Sequence, residues 1–533
     1  MFNFMNKGIF ARLPFFVFIF SVYPSLTLLS TNIREVDGSV VVRPLLLSLF
    51  GACLLVGTFR LFLRDWTRSS LATTVVLLFF FAYGHIARLL TDRFDPDLNR
   101  IIQIALYLLS IALVIFIIRW ISQEGIHAGD WTSTINTIAL ILILIPVLQI
   151  AVHVSGITKA VDQPISTPVA DEASQSASAA ISAPANGNPN QYPDVYLIVL
   201  DGYSRADTLR ELGFDNSEFL NNLEEMGFYV AECSRTTYKH TLLSMSSTFS
   251  MDYLWRAIPN TGVGDKNAAP LYEALIHNPV RNSFEERGYA IVGFQTGYQW
   301  DQWADADYYL TMKKESTKDD PSEPIITPFE YIFLRNTAVY PFVEDSALAA
   351  RRYYNHYQMV NYTLDELPRI AESIPGPKFV YAHIMSPHTP YIFLPDGSLN
   401  TDSRYYNTET GTPSNPDLEV EGYINNIKYL NSRMTKILNE IISNSEIPPV
   451  IVLQGDHGYV IPERRFNNLM AFHFPNGGNA SLYPTITPVN TFRLISNLYF
   501  GTSLRLRRDV SLIADVGRPY AKEEVAPFPE TCP

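Results

Sequence analysis

Cysteine is scarce in this chain, and clusters of basic residues are missing. Three cysteines occur among the 533 residues, and one of them, Cys53, lies in an apolar segment where packing explains it. The formal net charge is −13 and no run of Lys or Arg occurs, which argues against nucleic acid as a partner. No internal repeat is visible either. A chain of this length exceeds one ordinary hydrophobic core, so we expect more than one domain.

The first 155 residues are strongly apolar, unlike the rest of the chain. They contain long apolar stretches at residues 9–29, 44–63, 71–90, 101–121 and 132–154. Each stretch is close to the ~20 residues that a bilayer-spanning helix needs. The first stretch is long, lacks a small-x-small cleavage site and is followed by four more, so we do not interpret it as a cleavable signal peptide. We therefore predict a transmembrane domain of five helices at residues 1–155.

The distribution of Lys and Arg predicts how these helices are oriented. One side of the predicted spans holds most of the flanking basic residues, which are Lys7, Arg12, Arg64, Arg68 and Arg119. Cytoplasmic loops are enriched in Lys and Arg, so this side should be cytoplasmic. Five arginines on the other side count against this orientation, namely Arg34, Arg43, Arg88, Arg93 and Arg100. With five spans, everything after residue 155 then lies outside. The sequence thus predicts a multi-pass protein of the cytoplasmic membrane with an extracytoplasmic C-terminal domain.

Residues 156–193 have the composition of a linker. They are rich in Ala, Ser, Pro and Asn and show no apolar period. Such a segment cannot bury enough surface to offset the entropy of ordering it. We predict a flexible tether, because the scattered prolines disfavour the alternative of a folded helical hairpin.

Residues 194–533 alternate between strand and helix patterns, as is typical of an α/β fold. Apolar runs at residues 195–200, 290–296, 379–384 and 450–455 predict buried strands. Ahead of the last strand, apolar residues between 424 and 441 recur with helical spacing. We predict a doubly wound, mostly parallel sheet whose strand ends line one edge.

Polar side chains of a few definite types follow three of these strands, where sheets of this kind carry their sites. They are Asp201, His388 and the adjacent pair Asp456 and His457. Two carboxylates and an imidazole suit a divalent ion such as Zn²⁺ or Mn²⁺. The hydroxyl-rich segment 234–247 supplies candidate nucleophiles, since coordination to an ion stabilises an alkoxide. The alternative for the Asp-His pair is a turn with a capping Asp and a surface His.

These residues resemble the alkaline-phosphatase superfamily in its sulfatase-like branch. Within that branch the chain is similar to membrane-anchored lipoteichoic acid synthase-type phosphoglycerol transferases and phosphoethanolamine transferases. The resemblance rests on residues 195–201, on residues 238–254, and on the runs HIMSPHTPY and QGDHG. The layout of five spans followed by an extracytoplasmic domain at residues 194–533 matches as well. It implies that this domain is catalytic and has an alkaline-phosphatase-like sheet.

The resemblance also implies a role for each matching residue. The metal ligands would be Asp201, Thr241, Asp456 and His457. Zn²⁺ or Mn²⁺ would be the ion, with Mg²⁺ or Ca²⁺ as alternatives. Thr241 would be the nucleophile as well, because Ser244 follows it three residues later as in the branch pattern. Thr237 is the second candidate and Ser244 itself the third.

Three histidines have less definite roles in this comparison. His388 would bind the leaving group or the substrate phosphate. His383 would support it or, equally, be a core histidine within a strand. His473 is a candidate counterpart of a further histidine of the transferases, although its apolar neighbours favour a plain strand histidine. A site with one metal ion is therefore better supported than a site with two.

Sulfate-ester chemistry is disfavoured because its motif is missing. Sulfatases need a Cys or Ser in a C/S-x-P-x-R setting for conversion to formylglycine, and Cys233 is followed by Ser-Arg-Thr-Thr instead. Thr241 cannot form that aldehyde. Asp201 is followed by Gly202, whereas many sulfatases carry a second acid there.

The implied activity is therefore a metal-dependent transfer of a phosphoglycerol- or phosphoethanolamine-type group. A lipid would donate the group, Thr241 would carry it as a phospho-threonine, and an envelope glycan, lipid or water would accept it. A phosphodiesterase or sulfatase-like hydrolase with water as acceptor is the first alternative. A non-catalytic envelope scaffold is the second.

Cys233 and Cys532 both fall in the predicted extracytoplasmic domain. A disulfide persists in that compartment, so we predict that the two residues pair. No feature of the sequence bears on the oligomeric state, and none identifies the donor or the acceptor.

Overall fold

A computed structural model describes residues 13–33, 36–91, 96–123, 129–154, 192–258, 261–312, 326–343, 353–405, 413, 415–459 and 464–525. The chain divides into two compact units. One contains the N-terminal apolar helices and the other contains a β-sheet with its covering helices. All but the last two residues of the predicted linker at 156–193 lie outside the described residues.

The α-helices and strands are numbered along the described part of the chain. The helices are α1 Phe16–Asn32, α2 Val42–Leu63, α3 Trp66–Thr91, α4 Pro96–Ile121, α5 Gly129–Val154, α6 Ala206–Glu211, α7 Ser217–Glu225, α8 Thr241–Ser250, α9 Leu254–Ala257, α10 Ala269–Ile276, α11 Pro279–Glu285, α12 Pro328–Arg335, α13 Tyr340–Val343, α14 Tyr354–Glu366, α15 Ile370–Ser373, α16 Pro416–Asn444 and α17 Thr491–Phe500. The strands are β1 Val195–Leu200, β2 Tyr229–Val230, β3 Ala290–Phe294, β4 Tyr308–Leu310, β5 Lys378–Ile384, β6 Val450–Gly455 and β7 Met470–His473.

Four described helical segments are long and apolar enough to cross a membrane. They are Gly38–Leu63, Trp66–Leu90, Ile101–Ile121 and Asp130–Val154. The first predicted span, at residues 9–29, corresponds to α1, which has only 17 residues. At 1.5 Å per residue α1 is about 26 Å long, shorter than the ~30 Å hydrocarbon core, because it begins only after Pro14. The prediction of five spans is therefore corrected to four candidate spans within the described residues.

The outer faces of the apolar helices are covered with large hydrophobic side chains. Leu61, Phe62 and Leu89 are 77%, 78% and 77% exposed. A contiguous surface of this kind is rare on a protein that faces water on all sides. Within the bundle, small and apolar residues such as Phe16 and Ala52 pack in a closed core. The first unit thus has the apolar exterior that a bilayer requires.

A segment distant in sequence also belongs to the first unit. Residues of Ser322–Tyr353 group with the apolar helices, so this unit is not continuous in sequence. Here the residues that follow α12 bond to α3: Ala338 N donates to Phe80 O over 2.7 Å, and Gly84 N donates to Asn336 O over 3.1 Å. This division differs from the continuous domain predicted at residues 194–533.

Two of the five arginines that depart from the predicted charge rule are bound by this same segment. Arg43 forms a bidentate ion pair with Glu330 of α12. Arg88 Nη2 donates to Asn336 Oδ1 over 2.5 Å. Both arginines therefore have a structural partner on the side of the membrane that was predicted to be outside, which accounts for their departure from the rule.

The second unit is built on one seven-stranded sheet with the order β2-β7-β6-β1-β5-β3-β4. The strands from β6 to β4 pair in parallel, while β7 runs antiparallel to β6 and β2 antiparallel to β7. All six residues of β1 are buried, so both faces of the sheet are covered. The predicted α/β fold with a mostly parallel sheet is confirmed, with an antiparallel edge added to it.

The register of the central strands fixes where their exits lie. Leu200 at the end of β1 pairs with Ile384 of β5 on one side and with Gly455 of β6 on the other. The residues that follow these three strands therefore emerge at one edge of the sheet.

One covering helix, α8, brings its N-terminus to this edge. Its residues Leu243, Met245 and Phe249 are buried in the core with side chains of β1. Burial of each such side chain is worth ~1.5–3 kcal/mol. The packing therefore holds the whole helix, and with it the residue at its start, in a fixed position.

Cys233 is disulfide-bonded in the structure, as the sequence predicted. Cys53 is a free cysteine on α2. The predicted partner, Cys532, lies outside the described residues.

Candidate active site

The exits of β1, β5 and β6 bring the predicted polar residues together. Asp201 N donates to Ile384 O over 3.0 Å, and His388 N donates to Asp201 O over 2.9 Å. Asp456 and His457 follow β6 directly at the same edge. Backbone hydrogen bonds between neighbouring strand exits therefore set the spacing of the four side chains.

The two carboxylates of the site are buried beside each other. Asp456 is completely buried, and its Oδ1 accepts a 2.8 Å hydrogen bond from Gly202 N. Burial and the charge of Asp456 raise the pKa of Asp201. Burial acts in the same direction on Asp456, but the charges of His457 and His383 outweigh it and lower the pKa of Asp456. Asp201 Oδ1 and Asp456 Oδ2 are buried with no hydrogen-bond partner.

Two imidazoles present a ring nitrogen to these carboxylates. His457 Nδ1 lies 2.7 Å from Gly458 O, and His388 Nδ1 lies 3.0 Å from Thr389 O. A carbonyl only accepts, so both Nδ1 atoms carry a proton, and Nε2 is the nitrogen that keeps a lone pair when the ring is neutral and gives up a proton when it is charged. His457 Nε2 is 3.7 Å from Asp201 Oδ1 and 3.7 Å from Asp456 Oδ2.

His383 near the end of β5 is a third imidazole at the same place. Its Nδ1 lies 2.5 Å from Asp301 Oδ2, and its Nε2 is buried without a partner. Burial lowers the pKa of His383, but the charge and hydrogen bond of Asp301 prevail and raise it to about 9. Tyr381 donates a 2.9 Å hydrogen bond to Asp301 and thereby fixes the carboxylate. His383 is therefore both a buried residue of the core and a residue of the site.

Asp301 and Tyr381 are members of the site that the sequence did not indicate. Asp301 lies in a polar and aromatic loop after β3, and neither its spacing nor its neighbours distinguish it from other loop acids. Its contact with His383 spans 82 positions in sequence. The remaining signal in the sequence was a tyrosine, Tyr381, two residues before a strand histidine. This signal is too weak to use alone.

Thr241 is the first residue of α8 and lies at the carboxylates. Its side chain interacts with that of Asp456 and acts to lower the pKa of the Asp456 carboxyl. The N-terminus of a helix carries unpaired N–H groups and a partial positive charge, which stabilise negative charge nearby. Thr241 is therefore placed where both a cation-binding carboxylate and a helix terminus favour an ionised oxygen.

Ser244 supports this placement from one turn further along α8. Its Oγ donates to the backbone oxygen of Asp456 over 2.7 Å, and its N donates to His240 O over 2.8 Å. The side chain is buried. Ser244 thus ties α8 to the exit of β6, which is a positioning contact.

His473 does not lie with these residues. It pairs with Ile451 at the beginning of β6, and its Nδ1 donates to Pro449 O over 2.8 Å. Asp456 follows the opposite end of β6, about 16 Å away at ~3.3 Å per residue. The structure therefore agrees with the favoured interpretation of His473 as a strand histidine, at the other edge of the sheet, and not with the alternative of a ligand role.

Gly202 allows the two imidazoles to approach the carboxylates. Its φ is +73°, and a Cβ there would lie 3.4 Å from His457 Cε1 and 3.5 Å from His388 Cδ2. A side chain at this position would combine backbone strain with pressure on both rings. The Asp-Gly step that departs from the sulfatase pattern thus has a local geometric reason.

Arg465 adds a positive charge beside the site. Its Nε donates to Lys239 O over 2.8 Å, and the side chain is half-buried. Burial lowers the pKa of Arg465, and the charges of Asp456 and Asp201 oppose that effect. Arg464 instead pairs with Glu211 at the surface. Of these two loop arginines, Arg465 is the one whose pKa is affected by the charges of the two carboxylates.

The residues fit a divalent cation. Two described sets have ligand atoms that all lie within 4.8 Å of one another, namely Asp201, His388 and His457, and Asp201, His383 and Asp456. Ligand atoms ~2.1 Å from a tetrahedral ion lie ~3.4 Å apart, close to the 3.7 Å between His457 Nε2 and each carboxylate. The unpartnered atoms Asp201 Oδ1, Asp456 Oδ2 and His383 Nε2 are suitable donors for such an ion.

Comparison with known families gives a match over the part of the chain that contains most of these residues. The sulfatase family model matches residues 272–493. That segment runs from α10 to α17 and contains His383, His388, Asp456 and His457, whereas Asp201 lies before it. The predicted relation to sulfatase-like proteins is thereby confirmed. Comparison with curated proteins gave no significant match.

Similarity to solved structures is weak but recurrent. The periplasmic domain of EptC from Escherichia coli, solved with zinc, is 12% identical with a TM-score of 0.38, covering 64% of this chain and 94% of its own. The lipooligosaccharide phosphoethanolamine transferase EptA from Neisseria meningitidis is 13% identical with a TM-score of 0.39, covering 92% and 96%. The lipoteichoic acid synthase LtaP from Listeria monocytogenes is 13% identical with a TM-score of 0.34, covering 62% and 79%. Scores below 0.5 support no inference about this chain.

Proposed function

We propose that this protein is a membrane-anchored, metal-dependent transferase of phosphate esters. It takes a phosphoglycerol- or phosphoethanolamine-type group from a lipid donor and passes it to an envelope acceptor, with the catalytic domain outside the cytoplasmic membrane. The observation that carries the proposal is the position of Thr241 at the start of a helix, where its side chain interacts with Asp456, which lies together with Asp201 and His457.

Asp201, Asp456 and His457 would hold the cation together with Thr241. Zn²⁺ or Mn²⁺ suits this mixture of carboxylate and imidazole best. When bound, the ion would lower the pKa of the coordinated hydroxyl and neutralise phosphate oxygens. His383 would contribute from β5, with Asp301 holding its Nδ1 proton and leaving Nε2 directed to the carboxylates.

In the first half-reaction the Thr241 oxygen forms a bond to phosphorus while the bond from phosphorus to the diacylglycerol oxygen breaks. The Thr241 proton passes to solvent, and the departing oxygen takes a proton from His388, which solvent restores. Diacylglycerol leaves with one proton gained for the one that Thr241 lost. The partial charge at the start of α8 and Arg465 stabilise the added negative charge.

In the second half-reaction a hydroxyl of the acceptor attacks the phospho-threonine. The bond from phosphorus to Thr241 breaks, and the threonine oxygen regains a proton. His388 now acts as the base that takes the proton of the acceptor hydroxyl, because the roles of acid and base reverse between the two halves. No oxidant or reductant is needed in either step.

Phosphate is favoured over sulfate by the nucleophile itself. An unmodified threonine forms a phosphate ester without prior oxidation, whereas the C/S-x-P-x-R motif of formylglycine enzymes is missing. A lipid donor is favoured because four candidate membrane spans precede the catalytic domain in the chain.

The proposal predicts that Thr241→Ala abolishes transfer by at least ~10³-fold while metal content and folding stay close to those of the parent. Mass spectrometry of the parent with a lipid donor should find the phosphorylated group on the peptide that contains Thr241. Thr237→Ala is the matched control, since Thr237 is the other candidate and its buried Oγ1 has no hydrogen-bond partner. Full turnover in the Thr241 variant would refute the assignment, and free headgroup phosphate as the sole product would indicate hydrolysis.

A further inference from the structure

An apolar cavity lies within the first unit, between α2, α3 and α12. Its volume is about 380 Å³. The lining is formed chiefly by Leu47, Leu54, Leu55, Leu77, Phe80 and Phe333. A cavity of this volume is large enough for part of a small ligand, and such a lining does not hold water well.

One end of the cavity is polar and fixed. Arg43 and Glu330 are part of the lining, and they form the bidentate ion pair between α2 and α12. Glu330 is also held by Thr327 in the capping box of α12, through a 2.8 Å hydrogen bond from Thr327 N. The Arg43 side chain remains 55% exposed, whereas that of Glu330 is 9% exposed. The cavity therefore combines an apolar body with a polar end formed by an arginine–glutamate ion pair.

The cavity opens on the face of the unit that carries exposed apolar side chains. Leu47 and Leu54 line it and are nevertheless 65% and 61% exposed, while Leu77 at its inner wall is 5% exposed. An occupant therefore enters from the surface that the bilayer would cover, and it need not cross an aqueous phase.

The length of the cavity corresponds to one leaflet. Its lining on α2 extends from Arg43 to Leu55, which is about 18 Å at 1.5 Å per residue. Half of the ~30 Å hydrocarbon core is ~15 Å. The predicted orientation places residue 43 on the outside, together with every residue after 155, so the polar end lies at the outer headgroup level.

We propose that this cavity binds one acyl chain of a glycerophospholipid from the outer leaflet, with Arg43 facing the lipid phosphate. The apolar lining, the lateral opening, the length of one leaflet and the polar end with its half-exposed arginine all match this amphiphile. The proposal concerns binding and does not depend on the transfer reaction. It adds to the proposed function by identifying where a lipid is held by the helices.

Two glycines of α2 provide a matched test. Gly51 lines the cavity and Gly57 does not, and a Cβ at either position meets nothing within 4 Å. Gly51→Phe should therefore fill the cavity without a clash, and Gly57→Phe should place the same side chain elsewhere on the same helix. Both changes replace glycine in a helix interior, so neither should weaken the helix.

The measurement uses the purified full chain in bilayers that contain phosphatidylethanolamine with a photoactivatable diazirine in one acyl chain. In the parent and in Gly51→Phe, labelling of residues 76–81 is compared with that of Leu61 and Phe62, which face the bilayer generally. We expect Gly51→Phe to reduce labelling of residues 76–81 about tenfold, as exclusion of two or more methylenes implies, and Gly57→Phe to leave it unchanged.

Labelling that is equal in the parent and in Gly51→Phe would overturn the proposal, since the lipid would then only cover the surface. Thr241→Ala should keep the parental labelling. If Thr241→Ala remains active but Gly51→Phe loses the label, the proposed reaction fails while the lipid site stands. If Thr241→Ala is inactive and Gly51→Phe labels normally, the lipid site fails and the proposed reaction stands.

Discussion

Asp456 connects the polypeptide fold to the chemistry of the candidate site. One side-chain oxygen accepts from Gly202 N, the Thr241 side chain interacts with the carboxylate, and Oδ2 is left without a partner. Its backbone oxygen accepts from Ser244. A single buried residue therefore aligns the exit of β1, the start of α8 and the donor atoms for a cation. This explains why these groups are arranged around the end of β6.

Gly202→Ala should impair the site more than it impairs the fold. A side chain at φ +73° costs about 1–2 kcal/mol of stability, and its Cβ would press on His457 and His388. We expect weaker metal binding, measured by equilibrium dialysis, together with reduced turnover. Gly213→Ala is the control, because Gly213 has φ +84° with nothing within 4 Å and should lose similar stability alone. Equal metal affinity in both variants would contradict the role given to Gly202.

His356 makes folding sensitive to acid at a position outside the candidate ligands. Its Nε2 donates to Met385 O over 2.9 Å, and burial lowers its pKa to about 4. The folded pKa is below the unfolded value of ~6.5, so its contribution is complete above pH 6.5 and is lost as the pH falls towards 4. His356→Gln keeps an N–H donor but does not titrate. Thermal unfolding of both proteins between pH 7 and pH 4 should show a steeper loss of Tm in the parent, and parallel curves would exclude this contribution.

At the scale of elements, the helix α8 and the strand β6 act as one unit through Ser244. Its hydroxyl joins the first turn of α8 to the backbone of Asp456. Without that contact, the position of Thr241 would depend on packing further along the helix. The Ser that follows the nucleophile by three residues is thus explained by helix geometry, since residues three apart lie on one face.

Ser244→Ala should therefore reduce kcat by moving Thr241, at a stability cost of about 1–3 kcal/mol for the buried carbonyl left without this donor. Ser246→Ala on the same helix is the matched control. Ser246 is equally buried, and its Oγ donates to Leu271 O over 3.0 Å, away from the carboxylates. The two variants should lose similar stability by chemical denaturation, while only Ser244→Ala loses turnover. Normal kcat in Ser244→Ala would show that packing alone positions α8.

The long, fully buried strands could be predicted from the sequence, and the short edge strands could not. The central strands β1, β5 and β6 have six or seven buried residues, and their apolar runs identified them. The edge strands β2 and β4 have two and three residues, too few to show any period. Their place in the sheet depends on pairing with neighbours, which the sequence does not display.

At the scale of the whole molecule, the site was predictable where chain order and sheet geometry agree. Asp201, His388 and Asp456 each follow a strand, and parallel strands share one edge for their carboxyl ends. The same rule does not find Asp301, because this residue comes from a loop. It does not apply to His473, because β7 runs in the opposite direction to β6. The returning helix α12 was also unpredictable, because its ion pair with Arg43 joins positions 287 apart.

The returning segment also bears on how the chain crosses the membrane. Arg43 and Arg88 are held by Glu330 and Asn336, at the start of α2 and towards the end of α3. The charge rule predicts that Arg64 and Arg68, at the opposite ends of the same helices, are cytoplasmic. Since helices that cross once must reverse sides, residues near 39 should be outside and residues near 65 inside.

This orientation is testable with single cysteines. In a Cys53→Ser background, which removes the free thiol, Ser39→Cys should react with a membrane-impermeant maleimide in intact cells, because Ser39 is exposed beside Arg43. Asp65→Cys, also exposed, should react only after permeabilisation. Cys233 should not contribute in either case, since it is disulfide-bonded. The reverse pattern would place the catalytic domain in the cytoplasm, out of reach of any envelope acceptor, and would thereby remove the proposed transfer.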